Sequence, residues 1–173
     1  MRQPIKSGLI VFGLALSSVA DARGNAWENR MGSESTDSLS ITLDLRDQIR
    51  ISNLRDIYLS QNTDGSYSGG TDACIYRNSG QQYNITARGN YSGFYLKNQN
   101  TKLPYAVFYN DGASKSQMGN GLTLLNRRNA NNQHKDCNGE SNAYIQVLIS
   151  SHTINSVPAG TYSGILNLVV SPI

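Results

Sequence analysis

The densest cluster of reactive side chains in this 173-residue sequence is "HKDC", with His134, Asp136 and Cys137 within four positions. Imidazole, carboxylate and thiolate are the groups that ligate zinc or build a thiol nucleophile. A zinc site needs a second ligand pair at a set spacing, and the chain carries no Cys-x-x-Cys and no H-E-x-x-H. His152, the second of the two histidines, sits in the polar stretch "SSHTIN". There is no G-x-S-x-G elbow and no glycine loop followed by the lysine that would cradle phosphate. Acid–base work by two carboxylates remains open to any pair that meets in space. Asp64, Asp72, Asp111 and Asp136, however, fall in evident turns and read as solvated carboxylates. The sequence therefore predicts no catalytic residue, no metal site and no cofactor, and it does not read as an enzyme.

The rest of the chain reads as an exported framework. Arg2 and Lys6 precede the apolar run Gly8 to Leu16, and Ala20 and Ala22 form a small-residue cleavage pattern. These are the parts of a secretory signal peptide over 1–22. The apolar run is about half the roughly 20 residues that a membrane span requires. In an exported chain two cysteines are expected to pair, which points to a disulfide between Cys74 and Cys137. The mature chain, 151 residues from Arg23, is the size of one domain. That length buries a core without help from a metal. It keeps 13 basic and 11 acidic residues, a net charge of +2 with no basic run. Such a balance provides no electrostatic footprint for nucleic acid. Charged residues make up 16%, against about 25% in ordinary globular chains. Asn, Ser, Gly, Thr and Tyr take their place.

Residues 23–38, "RGNAWENRMGSESTDS", have no apolar period and read as a flexible leader. The next stretch, "LSITLDL", alternates strictly: Leu39, Ile41, Leu43 and Leu45 share one face, and Ser40, Thr42 and Asp44 the other. "QIRISNLRDIYL" continues more loosely, and "NTDGSYSGGTD" reads as a glycine-rich turn region. Short strand-like runs follow: "ACIYRN", "QYNITARG", "GFYLKN", "LPYAVFYND", "GLTLLN", "NAYIQVLISS" and "TYSGILNLVVS". Helical periodicity is absent, apart from a possible turn in "LTLLNRRNANNQHK". Eight or nine strands with regular turn signals predict an all-β sandwich. The last run places Tyr162, Leu166, Leu168 and Val170 on one face and Ile165 and Val169 on the other. An apolar strand at an open terminus is a template for another chain.

Three segments carry a resemblance. "CIYRNSGQQYNITARGN", "LPYAVFYNDGASKSQMGNG" and "PAGTYSGILNLVV" occur in that order, over roughly 49–173. Together they resemble the spore coat protein U-like pilin domain of bacterial chaperone–usher fimbriae. The resemblance implies an immunoglobulin-like sandwich that lacks one strand and is completed by a donor strand. It implies assembly in the periplasm with a chaperone and an outer-membrane usher, then display on the cell surface as a fimbrium. Neighbouring subunits would be the lasting partners, through β-augmentation. On that reading Leu39, Ile41, Leu43 and Leu45 (39–45) form the donor strand, and 46–173 form the pilin-like domain. Tyr162, Leu166, Leu168 and Val170 then border the groove, and Arg46-Asp47-Gln48 forms the hinge.

The sequence departs from the family in one respect. Family members often bridge a cysteine of the first strand to the second, and "IRISNLRDIYL" has none. Two competing readings remain at this point. Leu39–Leu45 would pair within its own domain in a self-complete secreted coat or matrix sandwich. Alternatively, Tyr58, Tyr67, Tyr76, Tyr83, Tyr91, Tyr95, Tyr105 and Tyr109 would line a glycan or protein site of a tip adhesin, although scattered tyrosines in a sandwich more often form half-buried core or rim.

Overall fold

The computed structural model describes residues 38–173. The expected signal peptide, 1–22, and residues 23–37 of the expected leader lie outside the described residues. Eleven strands and one short helix are described: β1 (Ile49–Ser52), β2 (Ser60–Gln61), β3 (Tyr67–Arg77), β4 (Tyr83–Gly89), β5 (Tyr95–Asn98), β6 (Thr101–Pro104), β7 (Ala106–Asn110), β8 (Lys115–Met118), β9 (Thr123–Arg127), β10 (Ala143–Ile149), α1 (Ser151–Ile154) and β11 (Leu166–Ser171). The fold is an all-β sandwich of open sheets. One sheet runs β1-β3-β10-β7-β8, with β2 also pairing β3; the other runs β11-β4-β9; β5 and β6 form a separate hairpin. All the strand pairs within these sheets are antiparallel.

Period-two alternation builds both faces. In β10, Ala143, Ile145, Val147 and Ile149 point inward, as do Tyr83, Ile85 and Ala87 of β4. These residues meet Ile75, Val107 and Tyr109 in one buried cluster, against which Leu166, Leu168 and Val170 of β11 pack. Burial of such side chains, at about 1.5–3 kcal/mol each, is the main favourable contribution to the fold.

The structure departs from the sequence expectations at three places. The first is "NTDGSYSGGTD", whose second half is strand rather than turn, because β3 starts at Tyr67. Gly69 and Gly70 serve close approach here: a Cβ at Gly69 would strike the Tyr58 carbonyl, and one at Gly70 the Tyr144 ring. The second is "LTLLNRRNANNQHK", which forms no α-helical turn: its start is strand β9, as the run "GLTLLN" predicted, and the α-helix among the described residues is α1, capped by Ser150 accepting from the Thr153 N–H. The third is Asp111, which is buried. Its carboxylate accepts backbone N–H bonds from Ala113, Ser114 and Arg128, and it pairs with Arg127 at 2.8 Å. Asp72 also belongs to a strand rather than a turn, although it stays exposed.

Cys74 and Cys137 are joined, with Cα atoms 5.8 Å apart across 63 residues of chain. The bridge fastens the 3-10 turn Cys137–Gly139 to β3. Asn131 and Asn142 add bonds to the same stretch, from Asn131 N–H to the Ile75 carbonyl and from Ile75 N–H to the Asn142 side chain.

Candidate functional site

"HKDC" is spent on structure. Cys137 is in the disulfide, Asp136 caps the 3-10 turn by accepting from Asn138 N–H, and His134 is exposed. Among the described residues no group of three or more His, Cys, Asp or Glu is placed to hold a metal. Nor do the tyrosines form one surface: Tyr76, Tyr83, Tyr105 and Tyr109 are buried, whereas Tyr58 is exposed. The Tyr83 and Tyr109 hydroxyls share a 2.6 Å hydrogen bond inside the core. Burial pushes the Tyr83 phenol up to about 12 and the Tyr109 phenol up as well.

What the fold leaves open is a cleft of about 1170 Å³ between the sheets. One wall is the irregular segment Leu54–Leu59, which leaves the sheet edge between β1 and β2. The other wall is Tyr162–Ile165 together with Leu166 and Leu168 of β11. The floor is core: Ile145, Val147 and Ile149 of β10, with Leu103 and Tyr105. Each of these five floor side chains is buried, so the cleft reaches the middle of the sandwich.

β11 positions the second wall. It pairs with β4 through Leu166↔Gly89 to Ser171↔Asn84, and it is the last strand of its sheet. Among the described residues no strand pairs with its other edge, whose N–H and C=O groups lie beside an apolar floor. A strand laid there would gain backbone hydrogen bonds and bury alternate side chains. Of the four predicted edge residues, Tyr162, Leu166 and Leu168 line the cleft. The Tyr162 hydroxyl donates to the Pro158 carbonyl at 2.8 Å, which holds the ring in place. Val170 packs on the core further along β11.

Leu39, Ile41, Leu43 and Leu45 are 80%, 88%, 76% and 75% exposed, and no strand is assigned over 38–48. Arg46-Asp47-Gln48 is fastened to the end of β3. Both Asp47 oxygens accept from Arg77 Nε at 3.1 Å, and Arg77 Nη2 donates to Oδ2 at 2.6 Å. The Asn78 side chain accepts from Gln48 N–H at 2.7 Å and donates to the Arg46 carbonyl at 2.8 Å. The Arg77 hydrogen bond, followed by one from Ser79, holds the Asp47 carboxyl below the usual carboxylate range.

Leu54, Ile57, Leu59 and the β10 floor were visible in the sequence as apolar strand residues. That they bound an open cleft was not, because only the pairing pattern shows which edge is unfilled.

No protein-family model and no curated protein matches the chain. Solved structures do match in fold. A mutant of the CFA/I enterotoxigenic E. coli adhesin CfaE aligns with a TM-score of 0.51 and 19% identity, over 73% of this chain and 43% of that one. A chain described as a chaperone–tip adhesin complex vital for activation of CFA/I fimbriae biogenesis aligns with a TM-score of 0.49 and 20% identity, over 73% and 41%. The chain thus spans less than half the length of either. What is shared with the adhesin CfaE is the β-sandwich fold.

Proposed function

We propose that this chain is a structural subunit of a surface fimbria, assembled by insertion of a donor strand into the cleft. The observation that carries this reading is the cleft itself. A free strand edge, β11, borders an opening floored by Ile145, Val147 and Ile149. Exposing core residues along one unfilled edge favours an extended, alternately apolar partner. The Leu39–Leu45 run has that alternation. Four such side chains would contribute roughly 6–12 kcal/mol gross on burial. Ordering the strand opposes this at about 1–2 kcal/mol per residue, so the backbone ladder has to supply the surplus.

Export through a periplasm, capping of the cleft by a chaperone strand, and handover at an usher follow from this reading. The role is structural rather than catalytic. A tip-adhesin role is the second reading, favoured by the fold likeness to CfaE.

The test compares the periplasmic wild-type chain with Ile41→Asp and Leu43→Asp by unboiled gel and light scattering. Each change places a carboxylate on the inserting face, where burial without a partner is costly. Heat-sensitive ladders in the wild type, lost in variants whose body stays folded, are expected. A wild-type monomer that the same changes unfold would sink the proposal.

A further inference from the structure

The Asp47, Arg77 and Asn78 contacts do more than close a loop. They hold 46–48 in line with β1, past the end of β3, through three charge-assisted bonds between Arg77 and Asp47 and three bonds at Asn78. The chain therefore joins the body at the β3–β4 end of the sandwich, where the Asn84 side chain also donates to the Pro172 carbonyl beyond β11. The open cleft starts at Leu54. Five residues lie between Gln48 and Leu54, six steps or at most about 20 Å of extended chain. Along that stretch β1 approaches β11.

Resting on the donor-strand reading, we infer that this clasp keeps the Leu39–Leu45 run out of reach of its own cleft, so that the run of a second copy fills it. The reason is one of length. A run folding back from the clasped Arg46 would lie beside β1, and Leu45 would meet the closed stretch rather than the floor. Even Leu39, seven residues or about 23 Å back from Arg46, would fall short of the mouth at Leu54, eight residues or about 26 Å along the chain. The turn needed for the reversal would also have to come from Leu43–Leu45, because Arg46 to Gln48 are already bonded. A run arriving from another molecule is under neither restriction. It can lie opposite Leu54–Leu59 over its whole length, since seven residues, about 23 Å, match that six-residue wall.

The experiment alters the leash and leaves the cleft intact. Six Gly/Ser residues inserted between Leu45 and Arg46 add about 20 Å of reach. The insertion variant is expected to run as a folded monomer whose cleft is filled from within. It should then refuse a synthetic peptide of residues 38–48. Asp47→Asn combined with Asn78→Ala opens the clasp without touching the cleft, and is expected to shorten the ladders. Ladders of wild-type length in both variants would overturn the inference, as would an insertion monomer that still takes up the peptide. The same peptide is added to the full chain carrying Ile41→Asp and Leu43→Asp, which keeps its cleft but has a disabled run. If it does not bind there, the donor-strand reading fails. If it binds there while the insertion changes nothing, the clasp inference alone fails.

Discussion

Asp111 shows how far a residue's surroundings can depart from its sequence context. "YNDGAS" reads as a solvated turn, yet the Asp111 and Arg127 side chains are 3% and 11% exposed. Burial pushes the Asp111 carboxyl up. The N–H groups of Ser114 and Arg128, the Arg127 guanidinium and the Ala113 N–H outweigh it, and the net shift is downward. A depressed folded value stabilises above the unfolded value of about 4, and that contribution is lost as pH falls through the folded one. Urea titrations of the wild type should therefore show stability falling below about pH 4, with a flatter acid limb in Asp111→Asn. At neutral pH that variant leaves Arg127 without its counter-charge and should lose about 3 kcal/mol. At the alkaline end the sign reverses. Tyr83, raised by burial, contributes stability below pH 10 that is lost as pH rises to about 12. Tyr83→Phe should shrink that limb without abolishing it, since the Tyr109 phenol is raised as well, and should leave the Tyr109 hydroxyl without its partner.

Among the elements, β3 does the most to shape the cleft. It pairs β1 at one end and β2 at the other. Between them Gly69 lets the Leu54–Leu59 wall lie against the strand, since a Cβ there would meet the Tyr58 backbone. Backbone cannot rotate away as a side chain can, so Gly69→Ala should displace the wall and cost about 1–3 kcal/mol in a urea titration. It should also weaken uptake of the 38–48 peptide, and unchanged affinity would mean that this wall is not part of the acceptor. At the other end of β3 the disulfide closes a long loop. Cys74→Ser with Cys137→Ser should cost about 4 kcal/mol in the chain-entropy account, measured as a lower urea midpoint.

For the whole molecule, an open cleft means that stability is linked to occupancy. A ligand that binds only the folded chain stabilises it by about 2.7 kcal/mol at 100 times its Kd. The 38–48 peptide should therefore raise the melting temperature of the Ile41→Asp, Leu43→Asp chain in proportion to the logarithm of its concentration. A scrambled peptide of the same composition should not, since its apolar residues no longer fall on one face. A melting temperature indifferent to both peptides would count against an acceptor cleft.

Local pattern carried the class of the fold. Alternation in "NAYIQVLISS" and "ILNLVVS" marked strands and their inward residues, because side chains in a strand point to opposite faces with period two. The disulfide partners and the alternation of the Leu39–Leu45 run were legible for similar reasons, since each rests on residue type or short spacing. Three things depended on contacts distant in sequence. Gly69 and Gly70 look like turn residues until Tyr58 and Tyr144 come to rest against them. Asp111 looks solvated until Arg127, sixteen residues away, pairs with it. The cleft exists because β11 ends one sheet while the chain between β1 and β2 leaves the edge of the other. No residue type encodes an unfilled edge; it is a property of which strands pair, and pairing is settled by the packing of the whole core.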